Sequence, residues 1–270
     1  MTSSTILSIT TFLYFLVALG YLSSLVFKSP RTASLSSYLA WLTTALQTAA
    51  ITLRWVESYR LGMGHAPMTN MYESLIFFAW SIVLAYLILE VRYPHQGLGA
   101  AVTPFAFLAM AYASFGTNTD IRPLIPALKS NWLIAHVVTC FLGYAAFAVS
   151  CGASIIYLTR RKDDSGLLPA AKVLDVIIYR TVLIGFLLLT AGIATGAVWA
   201  DQAWGRYWSW DPKETWSLIT WFVYAMLIHV RLVRGWQGRR IAWISIVGFG
   251  AVLFTYFGVN YLLAGLHSYA

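Results

Sequence analysis

Long apolar segments follow one another along almost the whole chain, and only short polar connections separate them. Runs of about 20 apolar residues are long enough to cross a bilayer as a helix. About eight such runs occur, at 5–27, 38–56, 71–91, 98–115, 132–158, 173–198, 216–233 and 241–263. The pattern predicts an all-α fold, a polytopic membrane helix bundle of about eight transmembrane helices, with residues 1–270 forming a single membrane domain.

Composition supports the same class. Of the 270 residues, 59% are hydrophobic and only 10% are charged, and the mean hydropathy is +0.70. A soluble domain of this length needs a far more polar surface, so that class is excluded. Gly185, Gly192 and Gly196 in the sixth run are expected to permit close approach of a neighbouring helix.

The distribution of basic residues predicts the orientation. Those at the connections after the odd-numbered runs number twelve, against four acidic residues, whereas the other side carries six of each. Because cytoplasmic connections are enriched in Lys and Arg, both termini and the connection after the sixth run are expected on the outer face. The formal net charge of +8 is then explained by topology, and no nucleic-acid partner is needed.

Tryptophan is concentrated in one connection. Six of the twelve tryptophans lie between Trp199 and Trp221, most of them in the run from Trp204 to Trp216. Aromatic belts normally place one or two rings at each helix end, whereas here the rings fill the connection itself. Residues 199–216 are therefore predicted to form an outer platform for a large planar apolar ligand. Asp211 and Glu214 are expected to hold this connection by capping the seventh helix.

Three histidines carry candidate chemistry. His136, about one turn into the fifth run, and His267, near the end of the eighth, are expected at the depth of the platform, where their imidazoles could bind haem iron. The alternative for both is an interfacial histidine that hydrogen-bonds to its neighbours. His229 lies roughly 20 Å below the outer surface, and an ionisable side chain at that depth indicates a functional site. A trans ligand for it would be absent, of another type, or supplied by a second polypeptide.

Other candidate groups are given structural roles. His65 lies in a turn-forming segment before a helix start, where a structural role is favoured. Cys140 and Cys151 are eleven residues apart in one helix, about 16 Å, so they cannot bond to each other. The chain contains no Cys-x-x-Cys-His sequence and so does not itself carry a c-type haem.

Four sequence motifs resemble one known family. The pattern Trp-Gly-x-x-Trp-x-Trp-Asp-x-x-Glu, which starts at Trp204, resembles the tryptophan-rich WWD signature of haem-handling proteins in cytochrome c biogenesis. Pro67-x-x-Asn-x-Tyr-Glu-Ser, Asn131-Trp-x-x-x-His136 and Asn260-Tyr-x-x-x-x-x-His267 extend the match to the CcsA branch, also called ResC, of the system II machinery. The resemblance covers essentially the whole chain.

The resemblance implies haem delivery across the membrane and haem presentation on the outer face. The haem b would be a substrate, attached by thioether bonds to the Cys-x-x-Cys-His segment of an apocytochrome c. A membrane partner of the CcsB or ResB type is expected, so that the chain would be part of a cytochrome c synthetase complex of the haem lyase type. The expected location is a bacterial cytoplasmic (inner) membrane or a thylakoid-type membrane.

The resemblance also assigns roles to residues. His136 and His267 are similar to the pair that flanks the WWD platform and holds haem iron, and His229 resembles the in-membrane ligand of an earlier haem site. The other in-membrane histidine belongs to the partner in this family.

The remaining platform residues are assigned from their chemistry. The rings of Trp204, Trp208 and Trp210 are expected to hold the haem plane, with Asp211 at the rim. Haem propionates call for cationic partners, and the outward candidates are Arg54, Arg60, Arg122, Arg206 and Lys213. Arg206, inside the motif, is the preferred one.

Three other classes of function predict different sequence features. A haem delivery subunit of system I carries a similar tryptophan motif but typically has about six spans. A CcsA-like assembly scaffold that handles no haem would have no reason to keep His229 within the membrane. A proton- or ion-coupled transporter would be expected to have acidic residues within its spans, whereas here they map to connections or helix ends.

Overall fold

The computed structural model describes residues 2–124, 129–160 and 166–263. All regular elements in these ranges are helical. The long helices are α1 (Ser3–Val26), α2 (Pro30–Arg60), α3 (Met71–Arg92), α4 (Gly99–Gly116), α5 (Asn131–Thr159), α6 (Ala171–Trp204), α7 (Pro212–Val233) and α8 (Arg239–Leu253). A single turn, Gln96–Leu98, precedes α4, and α8 continues through a π-helical turn, Phe254–Gly258, into the short α9 (Val259–Leu262). The predicted all-α membrane bundle is confirmed.

Seven of the described helices are long and apolar enough to cross a membrane, and α2 is the long helix outside this set. It has 31 residues but buries a polar face against its neighbours. The buried polar side chains of α2 are Ser36, Ser37, Thr43, Thr44, Gln47, Arg54 and Ser58. The low hydropathy of α2 therefore reflects groups that face protein, where hydrogen bonds can satisfy them.

Three helices extend well beyond the predicted runs. The α2 helix covers Pro30–Arg60, whereas the predicted run was 38–56. The α6 helix continues to Trp204, six residues beyond the predicted end, and α7 begins at Pro212, four residues before the predicted start. Apolar runs mark only the part of a helix that faces hydrocarbon, so polar and aromatic turns at the ends escape this criterion. Consequently only residues 205–211 of the tryptophan-rich segment are non-helical.

The chain divides into two compact units. Residues 1–124 and 159–170 form unit 1, in which α1 packs against α2 and α4, and α3 packs against α4 and α2. Gln47 joins three of these helices, because it accepts a hydrogen bond from the Tyr14 hydroxyl at 2.5 Å and donates one to the Ile76 carbonyl at 3.0 Å. Buried polar groups in unit 1 are thus paired across helices, as a low-dielectric interior requires.

A buried ion pair lies at the end of unit 1 where α2 and α3 are connected. Arg54 Nε donates to Glu73 Oε1 at 3.0 Å, and both side chains are almost fully buried. The Arg54 guanidinium also lies 4.9 Å from the centre of the Tyr72 ring. Glu73 in turn accepts the backbone N–H of Thr69 at 3.0 Å, so the ion pair fixes the entry of the chain into α3.

Residues 125–158 and 171–270 form unit 2. Glycines on α6 receive larger residues of α5: Gly185 faces Phe147, Gly192 faces Cys140 and Gly196 faces His136. Cys140 and Phe147 lie four and eleven residues after His136 on α5, and their partners Gly192 and Gly185 lie four and eleven residues before Gly196 on α6. This is the register of two antiparallel helices in close contact. The predicted role of the α6 glycines in close helix approach is confirmed.

Loss of the Glu73 charge should destabilise unit 1. A Glu73→Gln variant keeps the shape of the side chain but leaves Arg54 charged and buried, which typically costs about 3–5 kcal/mol. Thermal unfolding of the purified protein in detergent should show a clearly lower midpoint. An Arg54→Met, Glu73→Leu double variant, which removes both charges, should recover most of the loss. Asp120→Asn, at an exposed position, is the control, and an unchanged midpoint for Glu73→Gln would contradict the prediction.

Candidate functional site

His136 lies at the end of unit 2 that carries the tryptophan-rich segment, called here the tryptophan end and defined by residues 130–136, 196–216 and 260. It is five residues into α5, as the sequence predicted. Its Nδ1 lies 2.8 Å from the carbonyl oxygen of Gly192 on α6. The hydroxyl of Ser130, just before α5, donates to Gln202 Oε1 near the end of α6 at 2.6 Å. Two hydrogen bonds therefore join these helices beside the candidate ligand.

One indole ring packs on the His136 imidazole from the α6 side, and a second packs on the first. The Trp199 ring stacks with it, with centroids 5.9 Å apart and an interplanar angle of 17°. Trp204, on the last turn of α6, meets Trp199 edge-on at 5.0 Å. The structure thus brings one predicted iron ligand and one predicted platform residue into a single aromatic cluster.

Asp211 and Glu214 form a capping box at the start of α7. Asp211 Oδ1 accepts the Lys213 N–H at 2.9 Å, and Glu214 Oε2 accepts the backbone N–H groups of Ser209 at 2.8 Å and Asp211 at 3.1 Å. Such a box satisfies backbone donors that a helix start leaves open. The predicted capping of the seventh helix is confirmed.

The capping box holds the Trp208–Trp210 segment in a strained shape. Trp210 has φ +58°, a left-handed conformation that costs a non-glycine residue roughly 1–2 kcal/mol. Its side chain is 68% exposed, and its ring meets that of Trp208 at 5.7 Å and 89°. Trp208 Nε1 is buried without a hydrogen-bond partner in the described part of the chain. Strain and an unmet donor in one turn are typical of a functional segment.

The cationic candidates have different surroundings. Arg206 follows Gly205, which has φ +73°, and its side chain is exposed. Lys213 donates from Nζ to Asn260 Oδ1 at 2.8 Å, and Arg54 is committed to Glu73. Arg206 therefore stays the preferred residue of the motif for an anionic group, whereas Arg54 and Lys213 already serve the fold.

The Lys213–Asn260 contact links two of the sequence motifs. Asn260 is 7% exposed and also donates from Nδ2 to the Tyr256 carbonyl at 2.6 Å. The segment after the π-helical turn is thereby attached to the first turn of α7. His267, the second predicted ligand at this end, lies outside the described residues.

His229 faces away from the interior of unit 2. It lies 17 residues after Pro212 and four before Val233, or about 25 Å and 6 Å along the helix axis, so it is nearer the far end of α7 than its middle. The side chain is exposed. Exposed apolar residues of the same face are Ile219, Phe222, Met226 and Val233, at the three- and four-residue spacing of one helix side.

Arg231 points in the opposite direction from His229. Its guanidinium donates to both carboxylate oxygens of Asp175 on α6, at 2.9 and 2.6 Å. Asp175 also accepts the N–H of Gly238, before α8, at 2.7 Å. This two-pronged contact fixes the rotation of α7, and with it the outward direction of His229.

His65 has a structural role, as favoured from the sequence. It is buried, and its Nε2 lies 2.8 Å from the Arg122 carbonyl oxygen. Within the described ranges, no group of three or more His, Cys, Asp or Glu side chains is arranged to hold a metal ion. Among the described residues, the candidate site therefore contains one imidazole, that of His136, in an aromatic cluster.

Sequence reasoning missed several contributors to the site. Trp199 was placed in the connection but lies on α6 against His136. The sequence predicts Lys213 as one candidate partner of a haem propionate, whereas in the structure its Nζ donates to Asn260 Oδ1. The antiparallel register of α5 and α6, which the spacing of their glycines and large residues encodes, was the signal that could have paired His136 with Trp199 and Gly196.

The fold and site define a multi-pass helical membrane protein with a histidine and tryptophan cluster at one end of its second unit. The sequence profile of the family described as Cytochrome C assembly protein matches residues 68–267. The chain is similar to the cytochrome c biogenesis protein CcsA of Synechococcus sp. (strain CC9605), with 42% identity over 90% of this chain and 88% of the relative. CcsA of Parasynechococcus marenigrum (strain WH8102) is 41% identical over 96% of this chain and 93% of the relative.

A solved structure shares the fold. The chain is similar to the cytochrome c haem lyase CcmF, with a TM-score of 0.72 and 20% identity, over 95% of this chain and 47% of that one. This likeness concerns the fold alone, and the chain spans about half the length of that lyase. Because the profile covers most of the chain and the CcsA relatives cover nearly all of it, the chain belongs to the cytochrome c assembly protein family, on its CcsA branch.

The capping role of Asp211 can be separated from ligand binding. Asp211→Asn keeps an acceptor at the helix start and should leave stability nearly unchanged, whereas Asp211→Ala should cost about 0.5–2 kcal/mol. Thermal unfolding and amide hydrogen exchange at residues 209–213 measure the difference. Equal exchange in the two variants would show that the Asp211 side chain does not hold this turn.

Proposed function

We propose that this protein delivers haem across the membrane and presents it at the tryptophan end for thioether attachment to apocytochrome c. The observation that carries the proposal is the His136 ring, stacked on Trp199 beside Trp204 at one end of unit 2. An imidazole is a standard axial ligand of haem iron, and flat indole rings suit a porphyrin face. Haem b is a substrate here, and the chain is part of a cytochrome c synthetase complex.

Each platform residue has a stated task. His136 and His267 hold the iron, Trp204, Trp208 and Trp210 hold the ring plane, and Arg206 binds a propionate. Asp211 acts through the capping box, which keeps Trp210 in its exposed position. Residues 199–216 are thus the outer platform, with non-helical backbone only at residues 205–211, between α6 and α7.

The chemistry needs positioning more than proton transfer. Each thioether forms when a cysteine thiol of the Cys-x-x-Cys-His segment adds across a haem vinyl group, so that sulfur bonds to one carbon and hydrogen to the other. A fixed ring plane brings the vinyl carbons to the thiols and lowers the entropic barrier. The incoming cytochrome histidine has to displace His136 or His267 from the iron.

The orientation follows from the charges of the connections. With the basic connections on the cytoplasmic side, both termini and the tryptophan end face outward, where apocytochrome c is met. The membrane is a bacterial cytoplasmic membrane or a thylakoid-type membrane, and the cyanobacterial origin of the CcsA relatives supports this choice.

His229 belongs to an earlier haem site that a partner of the CcsB or ResB type completes. The outward direction of its side chain and the exposed apolar residues on the same face of α7 support this proposal. An imidazole left in lipid is costly unless it is paired or ligating. The exposed face therefore provides both an apolar contact surface and one ligand for a shared site.

Replacement of either ligand should impair haem presentation. His136→Ala or His267→Ala is expected to lower the haem content of the purified complex or to shift its absorption spectrum, because an axial ligand is lost. Added imidazole should restore part of the cytochrome c assembly by filling the vacant position. His65→Ala serves as a matched histidine control outside the site. Wild-type spectra and normal assembly in both ligand variants would overturn the proposal.

His229 should act before the outer pair. His229→Ala is expected to reduce haem at the tryptophan end when haem must arrive from the cytoplasmic side, although His136 and His267 are intact. Haem stoichiometry and ligand-field spectra are to be compared for the wild type and the variant, each with and without the partner. Equal loading in all four samples would mean that haem reaches the platform by another path.

A further inference from the structure

We propose that Gly192 and Gly196 of α6 are positioning residues for His136 and that together they select Nε2 as the nitrogen presented to iron. The inference rests on the proposed function, in which His136 is an axial ligand. It adds that the two helices have different roles: α5 supplies the imidazole, and α6 sets its tautomer and orientation.

The Gly192 carbonyl decides the tautomer. Nδ1 of His136 lies 2.8 Å from this oxygen, and a carbonyl oxygen can only accept, so Nδ1 must carry the hydrogen. In the neutral ring the lone pair then resides on Nε2, the nitrogen on the opposite side. Metal-ligating histidines commonly use this arrangement, in which the second nitrogen donates to a carbonyl or carboxylate.

The nearby Cys140 thiol does not change this assignment. Its Sγ lies 3.7 Å from the same Nδ1, and a thiol is a weaker partner than a carbonyl oxygen. The carbonyl at 2.8 Å is the closer and stronger acceptor.

Glycine at both α6 positions is what allows the contact. A methyl group at position 192 would come within 2.5 Å of Cys140 Sγ and 3.2 Å of the Cys140 backbone nitrogen. At position 196 it would come within 2.5 Å of His136 Nδ1 and 2.7 Å of Cε1. The first methyl would push α5 away from the Gly192 carbonyl, and the second would displace the imidazole itself.

The rest of the surroundings leaves the ring little room to adapt. Trp199, three residues beyond Gly196, stacks with the imidazole at 17° and is 6% exposed. A ring displaced by a methyl at position 196 must therefore tilt away from the Trp199 plane or lose the Gly192 hydrogen bond. Either movement redirects Nε2.

The tautomer can be tested in the haem-free protein. Nitrogen-15 NMR of selectively histidine-labelled protein distinguishes a ring protonated at Nδ1 from one protonated at Nε2, and a His136→Gln variant assigns the signal. The expected result is a single Nδ1-protonated form in the wild type and a mixed or shifted signal in Gly196→Ala. A wild-type ring protonated at Nε2 would overturn the proposal, whatever the role of His136 in haem binding.

Haem binding tests the consequence. Gly196→Ala in the complex with its partner should weaken haem binding at the tryptophan end about 10- to 100-fold, the usual effect of losing a residue that orients a ligand, and should shift the spectrum. Gly250→Ala is the inert control, because a methyl there meets nothing within 4 Å. Gly185→Ala is the packing control on the same pair of helices, since its methyl would meet the Phe147 ring at 2.6 Å. It should lower thermal stability without altering the haem spectrum.

A double variant separates an effect through His136 from general damage. In a His136→Gly background supplied with imidazole, the free ligand chooses its own orientation, so adding Gly196→Ala should have no further effect. A further loss there would show that Gly196 acts by helix packing alone and would overturn the inference. If His136→Ala keeps the wild-type spectrum, the proposed ligand role fails. If His136→Ala loses the haem signal while Gly196→Ala keeps it, only the positioning role fails.

Discussion

The close approach of α5 and α6 is the constraint on which the tryptophan end depends. A hydrogen bond of 2.8 Å from a side chain of one helix to the backbone of another is possible only where the second helix carries no side chain in between. Glycine at positions 192 and 196 meets this condition, and the same register brings Phe147 against Gly185. Stacking of Trp199 on His136 and the bond between Ser130 and Gln202 then follow from one helix pairing.

The acidic residues of the tryptophan motif, Asp211 and Glu214, form hydrogen bonds with the backbone. Glu214 accepts two backbone N–H groups, and Asp211 accepts a third. These hydrogen bonds hold the connection, which has seven non-helical residues, in one backbone conformation. That shape includes Trp210 in a left-handed conformation with its ring exposed. Two carboxylates that together accept three backbone amides are poorly placed to transfer protons, which agrees with a site that holds and orients a substrate.

The pattern of apolar runs was sufficient to predict the helices, because a helix that spans a bilayer presents about 20 apolar residues to lipid. It could not predict that α6 continues to Trp204, since amphipathic aromatic turns at the membrane surface leave no apolar run. The capping box was predictable because it is local, and Asp211 and Glu214 stand at its fixed spacing. The pairing of His136 with Gly192 and Trp199 was not, because it depends on contacts between residues more than fifty positions apart. The buried ion pair of Arg54 and Glu73 was not predicted for a related reason. Counting the charges of each connection carries no information about which charged side chains are buried and paired.

The α7 helix joins the two proposed haem sites, and its contacts explain how it can serve both. At one end Lys213 is held by Asn260, and at the other Arg231 is held by Asp175. Between them α7 buries only Thr220, Tyr224 and Leu227, while the face with His229 stays uncovered. Fixing both ends suppresses rotation about the helix axis, so the uncovered face is presented in one direction without being packed inside its own unit. A ligand that a second chain must reach requires this combination, since burial of His229 within unit 2 would have removed it from the surface where a partner can share the iron.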